Sequence, residues 1–134
     1  GRVLAADVVA PLDLPPFDNS HMDGFALRHA DLRATAVLPL AGEQFAGGPL
    51  LAALPPGTCA RITTGAPLPP GADTVVMKEN ARSDADGVWL PADTAHGQFV
   101  RRAGEDVRAG DVVLRAGQRL SPARVSLAAA LGLD

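Results

Sequence analysis

The sequence predicts a mainly β fold with minor α content, an α+β chain. A β-rich inserted domain of short strands is framed by a small αβ unit made from the two chain ends. Three observations predict it. The apolar runs are short, with β-branched residues and alternation; glycine and proline, 14 and 12 of the 134 residues, interrupt them every few positions; and only the last stretch places apolar residues at helical spacing. The β-rich domain is expected at 14–100, and the linker unit at 1–13 with 101–134, carrying a C-terminal helix near 122–131. Chain ends that meet around an insertion are a common domain arrangement.

Each element has its local reason. Residues 2–10, RVLAADVVA, mix β-branched and small apolar side chains around Asp7 and read as a short strand or strand pair that Pro11 ends. Pro15–Leu27, PPFDNSHMDGFAL, reads as an ordered loop up to its strand-like tail, because two prolines fix its entry and Asp, Asn and Ser side chains bond nearby backbone amides. Gly24 there permits either a positive φ or a close approach of another group to the main chain. Strands are expected at 25–28, 37–40, 59–63, 74–77 and 88–90, with a polar turn or single helical turn within 31–36 and an Asp-Gly hairpin signal at 84–87. The Gly- and Pro-rich stretch 41–58 reads as a loop across the surface, and 98–102 and 111–114 as the last two strands. Ser121 is placed to cap a helix, Pro122 to open it and Gly132 to end it. Val125, Ala128 and Leu131, beside Leu127, give that helix an apolar face, and a helix this short needs a partner to dock on.

Bulk properties exclude several classes. A net charge of −3 with no run of Lys or Arg argues against nucleic-acid and membrane-surface binding, since phosphate neutralisation needs clustered cations. The lone Cys59 allows neither an intrachain disulfide nor a cysteine-based metal site, reads as a buried small apolar residue, and fits a reducing cytosol. No apolar run reaches membrane-spanning length, and the start lacks a signal-peptide pattern, so a cytoplasmic protein is expected. The absence of an initiating Met and the end of the chain just past the helix read as those of an excised fragment.

Three stretches carry possible chemistry. Asp18, Asn19, Ser20, His21 and Asp23 crowd one loop, where carboxylates could hold a hard cation such as Mg²⁺; capping of the loop's own turns, with Asp23-Gly24 as a tight turn, is the more common use of such residues. His21 has no second His or Cys at metal spacing. Thr63-Thr64-Gly65 ends a strand and opens a Gly/Pro loop whose amides and hydroxyl could hold an oxyanion, although it is no P-loop and a rigid turn is the default. In Val100–Val107, VRRAGEDV, the arginines could grip an oxyanion and an acid a cation, or the charges could simply be solvated.

The segments GRVLAADVVAPLDLPPFDNSHMDGFALR, FAGGPL, RITTGAPLPPGADTVVMKE and VRRAGEDVRAGDVVLRAGQRLSPARVSLAAALG, in this order, resemble the N-terminal and linker region of the MoeA family, molybdopterin molybdenumtransferases that include the gephyrin E domain. The resemblance implies insertion of molybdate into adenylated molybdopterin with release of AMP and assistance by Mg²⁺. It also implies an elongated homodimer, in which this region of one subunit forms half of a composite site with the pterin-binding domain of the other. By the family's MDG, TGAP and GED motifs it marks Asp23, Thr64 and Asp106 as catalytic, with Asp23 and Asp106 as Mg²⁺ ligands, and Arg101, just before the last motif, as substrate-binding. Asp18, Asn19 and Ser20 read chiefly as the scaffold that aims Asp23, with Ser20 also a candidate for substrate binding. His21 and Phe25 depart from the small residue and Tyr usual at those positions. The family's pterin-binding domain, expected after Gly132, and a preceding helix lie outside this sequence. A scaffold or dimerisation module, as in the gephyrin branch, is the alternative; it would leave the loop acids dispensable.

Overall fold

The computed structural model describes residues 2–133. In chain order its strands are β1 (Val8–Val9), β2 (Asn19–Ser20), β3 (Gly24–Leu27), β4 (Val37–Leu38), β5 (Leu40–Gln44) and β6 (Cys59–Ile62), then β7 (Thr74–Met77), β8 (Arg82–Asp84), β9 (Gly87–Trp89), β10 (Val100–Arg101) and β11 (Val112–Leu114). One α-helix, α1 (Pro122–Ala130), follows, and short 3₁₀ turns occupy His29–Arg33 and Lys78–Asn80. The fold is mainly β with minor α. It divides into two compact units, one joining the stretch up to Phe17 with that from Arg102 onward, the other Asp18–Arg101. Residues 14–17 thus group with the chain ends: the Leu14 carbonyl accepts from the Asp106 and Val107 amides, and the Pro15 carbonyl from Gly104.

In the Asp18–Arg101 unit, β3 is the central strand. It lies antiparallel between β6 and β7, with β5 added parallel to β6. Phe25 faces Arg61 on one side and Val76 on the other, so with the two-residue period of a strand the sheet has two distinct faces. Phe25, Leu27, Cys59 and Val76 point one way and pack with Leu38, Val88 and Leu90, which belong to or adjoin the second sheet, β4-β9-β8. Ala26, Ile62 and Val75 point the other way and are closed over by Ala66, Leu68, Phe99 and Val100. Each such Leu or Val side chain contributes about 1.5–3 kcal/mol by leaving water. Cys59 is one of these core residues; burial raises its thiol pKa to about 11.

Gly24 meets the tightest constraint in the sheet. A Cβ built on it would lie 1.9 Å from the Val76 carbonyl oxygen and 2.9 Å from the Met77 Cα. Close approach, not a positive φ, is what this glycine allows, and Asp23-Gly24 is the entry to a strand and not a tight turn.

Several expectations need correction. Asn19–Ser20 is a strand and not loop, because it pairs with β10 on one side while the Ser20 amide and carbonyl bond Ala66 and Gly65 on the other. Residues 40–44 are likewise a strand: the parallel ladder to β6 overrides the Gly- and Pro-rich composition, and the buried Gln44 side chain folds the following loop back by bonding the Pro49 carbonyl and the Leu51 amide. The run expected at 37–40 is two strands in different sheets, separated at Pro39. The strand expected at 98–102 shrinks to Val100–Arg101, since Phe99 sits at φ 56°, a left-handed conformation that breaks a ladder.

The other unit pairs β1 with β11 antiparallel. Helix α1 is capped as its sequence implies, with the Ser121 hydroxyl accepting from the Arg124 amide and Gly132 at φ 75°. Leu131 is buried, while Val125 remains about half exposed, at 53 %.

Replacing Gly24 by Ala is expected to destabilise the full-length protein by about 3 kcal/mol or more, because the obstruction is backbone and cannot rotate away. Gly42→Ala, whose Cβ would meet only Leu51 side-chain carbons at 3.4–3.5 Å, should cost less than about 1 kcal/mol. Denaturant unfolding of both variants checks the pair; equal midpoints would contradict the assigned constraint.

Candidate functional site

The face of β6-β3-β7 that carries Phe25 continues past it. Two residues before Phe25 is Asp23, two after Arg61 is Thr63, and two after Val76 is Lys78, so all share this face. Toward the middle of the sheet the face is buried and apolar; at this end it opens into a cleft of about 190 Å³ lined by Asp23, Phe25, Arg61, Thr63, Lys78 and Ser83 among others. The Lys78 amide donates to the Asp23 carbonyl at 3.0 Å, which extends the β3–β7 pairing to the rim.

The Asp23 carboxylate is held on one side. Its Oδ1 accepts from the Thr64 backbone amide at 2.7 Å and from the Thr64 hydroxyl at 2.9 Å. No described residue bonds its Oδ2. The Thr64 amide, then the Thr64 hydroxyl, hold the Asp23 carboxyl below the usual aspartate range; desolvation opposes them, and the nearby charges of Lys78 and Arg61 contribute less to the lowering. The result is an exposed, fully ionised carboxylate with one oxygen fixed and the other turned outward.

Thr64 is itself positioned by its loop. The Gly65 amide bonds the Ser20 carbonyl at 2.8 Å, the Ala66 amide bonds Thr63 at 3.0 Å, and the Leu68 amide bonds Asp18 at 3.0 Å, with Gly65 in the left-handed conformation at φ 83°. The 63–68 loop therefore runs along Asp18–Ser20, and β10 lies on the other side of that segment. Arg101, in β10, pairs with Asn19. The buried Ser20 closes an ST turn: its hydroxyl donates to the Met22 carbonyl at 2.5 Å and accepts from the Met22 amide at 3.2 Å.

Of the residues singled out in the sequence, Asp23 and Thr64 touch, and Ser20 and Arg101 stand on the neighbouring strand pair β2–β10. His21 contributes its backbone amide to the Phe99 carbonyl. Asp106 belongs to the other unit, where it is exposed, follows the left-handed Gly104 and donates its amide to the Leu14 carbonyl at 2.8 Å. Arg61, Lys78 and Ser83 were not singled out. The alternation RIT and the spacing of Val76 to Lys78 put Arg61 and Lys78 on definite faces, but only the register across β6, β3 and β7 makes those faces one; Ser83 comes from β8 of the other sheet.

Among the described residues no group of three or more His, Cys, Asp or Glu is arranged to hold a metal ion. A second polar cluster, in which Asp73 accepts from the His29 and Thr74 groups and lies 3.3 Å from His96 Nε2, ties loop 91–98 to the sheet end. No helix among the described residues is long and apolar enough to cross a membrane.

The family profile described as MoeA N-terminal region (domain I and II) matches residues 1–132. The molybdopterin molybdenumtransferase of Haemophilus influenzae is 42 % identical over 133 residues, covering 98 % of this chain and 33 % of that protein. Molybdopterin molybdenumtransferase 2 of Mycobacterium tuberculosis is 46 % identical over 138 residues, covering 99 % and 34 %. Two crystal structures of molybdopterin biosynthesis MoeA protein from Pyrococcus horikoshii superpose with TM-scores of 0.92 and 0.83 at 31 % and 36 % identity, covering 100 % and 99 % of this chain and 36 % of each of theirs. The chain spans about a third of the length of these relatives.

Carboxyl-carbon NMR should place the Asp23 midpoint below the ordinary aspartate value of 3.8. Because the folded pKa lies below the unfolded one, ionised Asp23 favours the folded state above the ordinary value. That contribution is lost as pH falls through the lowered one. In Thr64→Val, which keeps the amide but not the hydroxyl, the midpoint should rise part of the way back; an unmoved midpoint would show that the hydroxyl contributes nothing.

Proposed function

The chain belongs to the MoeA family, as its N-terminal region, and from that premise we propose that it is part of a molybdopterin molybdenumtransferase that inserts molybdate into adenylated molybdopterin during molybdenum cofactor biosynthesis. The observation that carries the reading is the Asp23–Thr64 pair. Two hydrogen bonds fix one carboxylate oxygen and leave the other outward at an open cleft, the arrangement expected of an acid that serves a ligand and not only its own turn. The pair supports catalysis over the scaffold alternative, which has no use for an aimed carboxylate.

In this reading Asp23, Thr64 and Asp106 act on substrate, and Arg101 orients its oxyanions through charge-assisted bonds. Ser20 acts by positioning, since its hydroxyl is bound to its own backbone. Mg²⁺ fits Asp23: the ion takes one or two protein carboxylates and completes its shell with water and phosphate oxygens, and Asp23 Oδ2 is one such donor. Asp106 is proposed as the second. When bound, the ion neutralises phosphate charge at the reacting group. The rest of the site comes from the pterin-binding domain outside this sequence, in a cytoplasmic homodimer, so this chain supplies half a site and is inactive alone.

In the full-length enzyme, Asp23→Asn and Asp106→Asn should each lower AMP release by about 10²-fold with the protein still folded. Chelation of Mg²⁺ should abolish turnover. Unchanged turnover in both variants would return the acids to a structural role and leave the scaffold reading. The isolated chain, given adenylated molybdopterin, molybdate and Mg²⁺, should release no AMP; a rate near that of the full-length enzyme would overturn the half-site assignment.

A further inference from the structure

Arg61 stands on β6 and Lys78 opens the 3₁₀ turn that follows β7, one on each side of the cleft that Asp23 rims, and both residues are exposed. Neither side chain makes a hydrogen bond or ion pair to any described residue. That is unexpected for two cations within electrostatic reach of Asp23, and more so because Glu43, on β5, is the register partner of Arg61. The Ser83 hydroxyl at the cleft wall likewise has no partner among the described residues, while the Thr63 hydroxyl accepts from the Ala46 amide and keeps its proton to donate. The cleft thus gathers two cationic donors and two hydroxyl donors against a single carboxylate, and that carboxylate is already engaged by Thr64. Its 190 Å³ is far more than the ~15 Å³ that one water requires.

We infer that Arg61 and Lys78 form a binding subsite for one tetrahedral oxyanion, either an inorganic tetraoxoanion or the phosphate of a monoester, with Ser83 and Thr63 donating hydroxyl bonds to it. Arg presents a planar fork that bonds two oxygens of such an anion, and Lys adds a compact charge from the opposite side. Phe25 forms the apolar floor, which lowers the local dielectric and strengthens both contacts. Asp23 at the rim excludes a second anion. The subsite deepens the proposed function and rests on it for which anion is bound, but not for the existence of the site.

The test uses the full-length protein and two probes, sodium molybdate and methyl phosphate, titrated separately by calorimetry. Arg61→Gln with Lys78→Gln should weaken one of the two by about tenfold or more, the loss expected when charge-assisted bonds are removed, with no change in melting temperature. The anion that loses affinity identifies the source. Arg61→Lys should lose less than Arg61→Gln, and Glu43→Gln should bind at least as tightly as the parent. Affinities for both anions within twofold of the parent in the double variant would overturn the subsite, as would Glu43→Gln losing as much as Arg61→Gln. AMP release measured on the same proteins separates this from the transferase reading. Lost anion affinity in a protein whose parent shows no turnover supports the subsite and removes the transferase reading; intact anion affinity in a variant of an active parent does the reverse.

Discussion

The sheet of the Asp18–Arg101 unit depends on one missing side chain. Strand β3 is hydrogen-bonded on both edges, and at Gly24 the Val76 carbonyl comes so near that only a hydrogen fits where a Cβ would be. This proximity carries the β3–β7 pairing through to the Lys78 amide and the Asp23 carbonyl, which fixes the backbone of Asp23 before its side chain is considered. Thr64, presented by a loop whose own amides are tied to Ser20 and Thr63, then captures the carboxylate. The aimed acid is thus a consequence of packing between strands and not of local turn chemistry.

The same sheet face changes character along its length. Phe25, Leu27, Cys59 and Val76 bury against Leu38, Val88 and Leu90, and the next residues of the same strands are Asp23, Thr63 and Lys78, with Arg61 at the level of Phe25. An apolar core therefore anchors a polar cleft through continuous strands, so the positions of the charged groups inherit the rigidity of the ladder. Rigid strands place functional groups more accurately than loops do. The depressed pKa of Asp23 follows from hydrogen bonding first and from the two cations second, so the carboxylate stays ionised at any physiological pH.

Much of the fold was legible in the sequence where local chemistry decides it. The Ser121-Pro122 cap, the Gly132 terminus, the Thr74–Met77 strand and the Asp84–Gly87 hairpin all follow from residues within a few positions of one another. Legibility failed where a distant partner decides. Residues 40–44 are a strand only because β6 offers a parallel edge, and Asn19–Ser20 only because β10 and the 63–68 loop flank it. The site shows the same division. Asp23 and Thr64 were singled out through family motifs, whereas Arg61 and Lys78 had no motif to mark them and needed the register Phe25↔Arg61 and Phe25↔Val76 to be seen as neighbours.

What distinguishes the face of β6-β3-β7 ending in Asp23 from a mere sheet edge is whether it binds a ligand. The most direct measurement is a crystal structure of the full-length protein with adenylated molybdopterin bound. A phosphate or molybdate oxygen, or a Mg²⁺ ion joined to one, is expected within hydrogen-bonding or coordination distance of Asp23 Oδ2, with the Thr64 bonds to Oδ1 retained. A bound substrate that makes no contact with Asp23, Arg61 or Lys78 would contradict it.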